Sequence, residues 1–152
     1  MKVNHILKQK GPNIYSITPD RLLTEAVALM MQNRIGSLVV MDEGRLASIV
    51  TERDVMGAVD KYAANLADVR VRDVMAPKLI TCDAQDTLDH VMNLMMRNSL
   101  GHRVRHLPVM RDGEFAGLIS IVDIVQALLT ETQFENNLLK NYIKNWPESE
   151  EA

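Results

Sequence analysis

The chain repeats itself, and the repeat limits the folds open to it more than any other feature. Slid by 65 residues, the sequence places Pro12 on Pro77, Leu23 on Leu88, Met30 and Met31 on Met95 and Met96, and Asn33 on Asn98. Further along the offset is 69: Arg34 meets Arg103, Leu38 meets Leu107, Val40 meets Val109, Gly44 meets Gly113 and Asp54 meets Asp123. The second copy therefore holds four extra residues, roughly "SLGH" at 99–102. A lead-in repeats too, "VNHIL" at 3–7 matching "VRDVM" at 71–75. Such self-similarity means two copies of one supersecondary unit, related by a pseudo-two-fold axis.

Each unit reads as β-α-β-β-α behind a short helix. In the first, "NIYSI" is a strand bounded by Gly11-Pro12 and by Thr18-Pro19-Asp20. Apolar residues at 22, 23, 26, 27, 29 and 30 predict a helix from Leu22 to Gln32 with one broad buried face. "SLVVM" and "ASIVT" are strands joined by the turn "DEG", where Gly supplies a positive φ. A helix then starts at Thr51 and runs to about Tyr62. The second unit predicts strands at 79–81, 106–110 and 115–119, with helices at 87–97 and from Ser120. Three strands and two helices leave one sheet face bare. Packing two units sheet to sheet covers both, so the duplication answers a folding need.

The segments "LLTEAVALMMQNRIGSLVVMDEGRLASIVTERDV" and "TLDHVMNLMMRNSLGHRVRHLPVMRDGEFAGLISIVDIV" carry a family resemblance. Each unit resembles a CBS (cystathionine β-synthase) domain, and the pair is similar to a Bateman module, over about residues 1–130. The resemblance implies an α+β (α/β) fold of two tandem units. The expected division is 1–68 for unit 1 with its lead-in, 69–130 for unit 2, and 131–152 for a helical extension with an acidic tail. It also implies a non-catalytic regulatory module that binds an adenosine-containing ligand (AMP, ADP, ATP, NAD or S-adenosylmethionine) in a cleft between units.

The phrase Thr51-x-x-Asp54 returns as Ser120-x-x-Asp123. A hydroxyl residue followed three places later by an acid, at a helix start, is a capping box. The same geometry suits a ligand. A strand running into a helix leaves free N–H groups that attract an anion. An Asp one turn in can accept from both ribose hydroxyls. Both readings stay open from the residues. The resemblance assigns ribose and phosphate contacts to Thr51 and Asp54 at one site and to Ser120 and Asp123 at the other. The copies differ: Arg53 stands beside Asp54 as a phosphate partner, where the second copy has Val122, whereas Gly117 of the second copy is Ser48 in the first. The base is expected against Ile14, Ser16 and Ile17, or against Ile80, Thr81 and Cys82, with Val39, Val40, Pro108 and Val109 nearby.

"GHRVRHLP" at 101–108 interrupts an acidic chain. It reads either as a solvated loop or as phosphate contacts from Arg103, Arg105 or His106. His90, His102, His106 and Cys82 lack a metal-ligand spacing, and no nucleophile–base pair or Walker-type loop suggests an enzyme. A net charge of −3 gives no nucleic-acid signature. The single cysteine suggests a reducing compartment. The opening "MKVNHILKQKG" lacks a signal-peptide core, and no apolar run is long enough to span a membrane, so a cytoplasmic protein is expected. Beyond unit 2, Phe134, Leu138, Leu139, Tyr142, Ile143 and Trp146 form a stripe on a helix reaching Asn145, ended by Pro147 and "ESEE". That stripe predicts a homodimer, with an unknown protein effector receiving the signal. The alternative is a structural dimerisation module without ligand.

Overall fold

A computed structural model describes residues 1–145. Unit 1 contains β1 (Ser16–Ile17), α2 (Leu23–Asn33), β2 (Ser37–Asp42), β3 (Arg45–Thr51) and α3 (Glu52–Tyr62), behind α1 (Val3–Lys10). A 3-10 helix, Ala63–Asp68, leads to α4 (Val71–Val74). Unit 2 contains β4 (Cys82–Asp83), α5 (Leu88–Met96), β5 (His106–Arg111), β6 (Glu114–Ser120) and α6 (Ile121–Lys144). Each unit has its own three-stranded sheet, in the orders β1-β2-β3 and β4-β5-β6. The first pair of each sheet is parallel and the second antiparallel.

The hairpins form as the sequence predicts. Glu43 and Gly44 both have positive φ, at 50° and 77°. Such a two-residue turn matches the right-handed twist of the strands it joins. Asp112 and Gly113 repeat it at 53° and 78°. Both sheets also shift register at the same point, Val40/Met41 and Val109/Met110. The first strands are shorter than expected. Of "NIYSI" only Ser16 and Ile17 pair, opposite Val39 and Val40, and the preceding Ile14 and Tyr15 are exposed. In unit 2 the paired segment is Cys82–Asp83, not 79–81, because Cys82 is the residue set opposite Val109.

The two cores are separate. Ile17, Leu23, Ala26, Met30, Leu38, Val40 and Val50 build one. Cys82, Leu88, Val91, Met95, Leu107, Val109 and Ile119 build the other. Val39 and Ile49 are buried but belong to neither. Strand alternation turns them to the opposite sheet face, where β3 meets β6 of the other unit. Ala76 N donates to Ile49 O across the same junction at 3.1 Å.

The lead-ins are exchanged. Val3 and Ile6 of α1 are buried in the core of unit 2. Val3 N donates to Asp86 O at 3.0 Å and Asn4 N to Ala84 O at 2.8 Å. Conversely, Val69 and Val71 belong to the core of unit 1. Leu23 N donates to Val69 O at 2.8 Å, and Val71 N to Arg21 O at 2.9 Å. The segment that sequence order attaches to unit 1 therefore completes unit 2.

One position is strained. Ala63, at the end of α3, has φ 44° and ψ −114°, a region open to glycine and costly for a residue with a Cβ. Ala63→Gly is expected to raise stability by about 1 kcal/mol, relief of strain outweighing the added freedom of the unfolded chain. The urea midpoint should rise at unchanged slope; an unchanged or lower midpoint would refute the strain.

Candidate functional site

Each candidate site is a junction where a strand passes straight into a helix. Thr51 is the last residue of β3 and the N-cap of α3, in an extended conformation. Its N–H donates to Asp54 Oδ2 at 2.8 Å, and Asp54 N donates to Thr51 Oγ1 at 3.4 Å. Thr51 Oγ1 also donates to Asp54 Oδ2 at 3.1 Å. At the second junction Ser120 N donates to Asp123 Oδ2 at 2.8 Å, and Asp123 N to Ser120 Oγ at 3.1 Å. The capping boxes are formed in both copies. They do not exhaust the carboxylates. Among the described residues every bond accepted by either carboxylate uses Oδ2, which leaves Oδ1 to accept from something else.

The two junctions have different surroundings. Lys10, at the end of α1, reaches Asp123: Nζ lies 2.8 Å from Oδ2 and donates to Leu118 O at 3.0 Å. Leu7 of the same helix covers Gly117, so that a Cβ there would sit 2.7 Å from Leu7 Cδ2. The close backbone approach that Gly117 permits is thus filled by the chain itself. At the first junction, Ser48 is buried and donates to Ala76 O at 2.6 Å. Among the described residues no cation pairs with Asp54. Arg53 is exposed beside it.

His106 stands opposite Ser120 in the β5–β6 ladder. It is half-buried, and that burial, followed by nearby Lys10, holds its imidazole below the usual histidine range, with Asp123 and Glu52 opposing. Glu52 belongs to α3, so the first helix start lies within electrostatic reach of His106. Arg105 accepts a hydrogen bond from Ile121 N through its carbonyl at 2.8 Å, and its side chain is exposed. The inserted "SLGH" forms a turn held by Asn98, whose Nδ2 donates to His102 O at 2.9 Å.

The residues expected around a base are more dispersed. Pro108 is buried in β5 and Thr81 is exposed before β4. Ser16 and Ile17 line a cleft of about 410 Å³ with Thr18, Arg21, Glu25, Leu29 and Met41. Ile17 pairs with Val40, while Thr51 pairs with Ser37. Three residues of strand, about 10 Å, separate that cleft from the first junction. Cys82 is buried, and burial above all, with Asp86 and Asp83 adding to it, pushes its thiol up to about 12. It is a packing residue rather than a nucleophile. No group of three or more potential metal ligands occurs among the described residues. Lys10 and Leu7 were not among the expected site residues. Nothing in "VNHILKQK" says which unit it will cover.

Comparison with known proteins places this geometry in a family. The model of the CBS domain matches twice, at residues 10–61 and 71–130. A mitochondrial CBS domain-containing protein of Arabidopsis thaliana, CBSX3, is 32% identical over 151 residues, covering 93% of this chain and 71% of its own. The crystal structure of a CBS-domain containing protein from Agrobacterium tumefaciens superposes with a TM-score of 0.76 at 34% identity, covering 84% of this chain and 98% of that one. A CBS domain pair solved with 5′-methylthioadenosine and S-adenosyl-L-methionine shares the fold, with a TM-score of 0.71 at 21% identity over 86% of this chain and 98% of that one.

Proposed function

This chain belongs to the CBS domain family, and from that membership we propose that it is a regulatory module, without catalysis of its own, that senses an adenosine-containing ligand. The observation that carries the reading is the first junction, Thr51 to Asp54. There an exposed arginine, a helix N-terminus and a carboxylate with a spare oxygen stand together, free of any ion pair among the described residues. The ribose would be held by Asp54, and a phosphate by Thr51, the helix N-terminus and Arg53. Ser120, Asp123, Arg105 and His106 form the second candidate site, which Lys10 already engages. The ligand class is supported by the related pair that binds 5′-methylthioadenosine and S-adenosyl-L-methionine. AMP, ADP, ATP and NAD share its adenosine.

Signalling follows from the contact of β3 with β6 between the units. A ligand shifts the packing of two units, or of two subunits, only by binding one arrangement better than the other. The protein acts as a homodimer and passes the change to a separate protein effector. The test is thermal unfolding with AMP, ADP, ATP, NAD and S-adenosylmethionine at millimolar concentration, with GMP as control. A ligand present at a hundred times its Kd stabilises by about 2.7 kcal/mol, a rise of roughly 5–10 °C for a chain of this size. If none of the five moves the midpoint more than GMP does, the sensor reading fails. The capping boxes would then be caps only, and the protein a structural dimerisation module.

A further inference from the structure

The helix α6 is 24 residues long, about 36 Å at 1.5 Å per residue, yet only its first turns are packed. Ile124 and Ala127 are buried, and every residue from Thr132 to Asn145 is exposed. A second pattern runs along the outward side of the whole helix. Val122, Leu129, Asn136 and Ile143 recur at a spacing of seven, with Val125, Thr132 and Leu139 three residues after each of the first three. These are the a and d positions of a heptad seam. Its five apolar members are between 44% and 68% exposed, so the seam is unfilled from end to end. Phe134 and Leu138 lie on a different face, which prolongs the inward side of α6 and is confined to its last turns.

We propose that a second copy of this chain fills the seam, the two α6 helices pairing in parallel and in register as a two-stranded coiled coil. The choice of occupant rests on charge. In this heptad Glu135 is at g and Lys140 at e of the next repeat, five residues on. In a parallel in-register pair, g of one helix faces that e of the other. Glu135 then meets the partner subunit's Lys140, and the reciprocal pair forms on the other side. In the antiparallel arrangement g faces g and e faces e, so Glu135 and Lys140 do not meet across the seam and both ion pairs are lost. Neither Glu135 nor Lys140 has a salt-bridge partner within its own chain among the described residues. Asn136, the one polar a position, meets its own copy in the parallel register, where an Asn fixes alignment and two-strandedness. The inference rests on the dimeric part of the reading above and not on nucleotide binding.

Sedimentation of the full-length chain at micromolar concentration should give a dimer. Leu139→Glu with Ile143→Glu should give a monomer with unchanged circular dichroism, because both positions are exposed. Glu135→Lys or Lys140→Glu alone should weaken the dimer roughly three- to tenfold, and the two together should restore it. Ile143→Cys in a Cys82→Ser background should form an intersubunit disulfide under mild oxidation, since only the parallel register brings the two copies of residue 143 together. A monomeric wild type, or a dimer that survives the double Glu variant, overturns the pairing. A seam-dependent dimer that neither crosslinks at residue 143 nor recovers in the charge swap overturns its parallel register. None of these outcomes alters the nucleotide thermal-shift result, so the two proposals fail separately.

Discussion

Val3→Asp will loosen the second unit, although residue 3 lies at the far end of the sequence from it. Val3 is fully buried among Leu88, Val91, Val109 and Ile119 of unit 2. A carboxylate there has no partner, and an uncompensated buried charge costs about 3–5 kcal/mol. For a chain of this size that is a fall of roughly 10 °C or more in Tm. The location of the damage matters as much as its size. Native-state hydrogen exchange should lose protection in α5, β5 and β6 before it does in α2, β2 and β3. Val71→Asp should do the reverse, because Val71 is fully buried in the core of unit 1. Loss of protection in unit 1 from the Val3 change would contradict the exchange of lead-ins.

Asp54→Asn will erase ligand-induced stabilisation and leave the fold standing. The Asn side-chain oxygen still accepts from Thr51 N, so the cap is largely kept and the cost should stay below about 1 kcal/mol. What disappears is the carboxylate proposed to hold the ribose, and with it the shift of roughly 2.7 kcal/mol at a hundredfold excess over Kd. Asp123→Asn should leave that shift intact, because Asp123 is already paired with Lys10. Lys10→Met separates the alternatives. It removes an ion pair whose partners are 40% and 20% exposed, worth under about 1 kcal/mol. It should also let the second junction take ligand, raising the number of sites seen by calorimetry. Equal loss from Asp54→Asn and Asp123→Asn would sink the idea that the junctions differ.

The repeat made most of this fold readable. Period-two strands ending in a hydroxyl residue, and helices beginning beside it, follow from local pattern, and both capping boxes form at the residues named. The extension of α6 to Lys144 was legible for the same reason; the predicted Trp146, Pro147 and acidic tail lie outside the described residues. What local pattern does not encode is the choice between two similar surfaces. Val3 and Ile6 make an apolar face that either unit has the shape to receive, so the docking of α1, and with it the reach of Lys10 to Asp123, is set by tertiary geometry alone. The two-residue strands escaped for a related reason: their limits are fixed by which residues meet a distant partner strand, Val39 and Val40 in one unit and Val109 and Met110 in the other.

The exchanged lead-ins also bear on how such a chain arises. A chain carrying one unit and one leader has a leader cut to fit a neighbour. It satisfies its buried faces only as two subunits, each lending its first helix to the other. Joining two such chains end to end would need only a connection from Tyr62 to Arg70, which a short 3-10 helix supplies here. The pair has the connectivity of a swapped dimer made continuous, so its two sequence halves, once cut apart, would each lack the lead-in that completes its core.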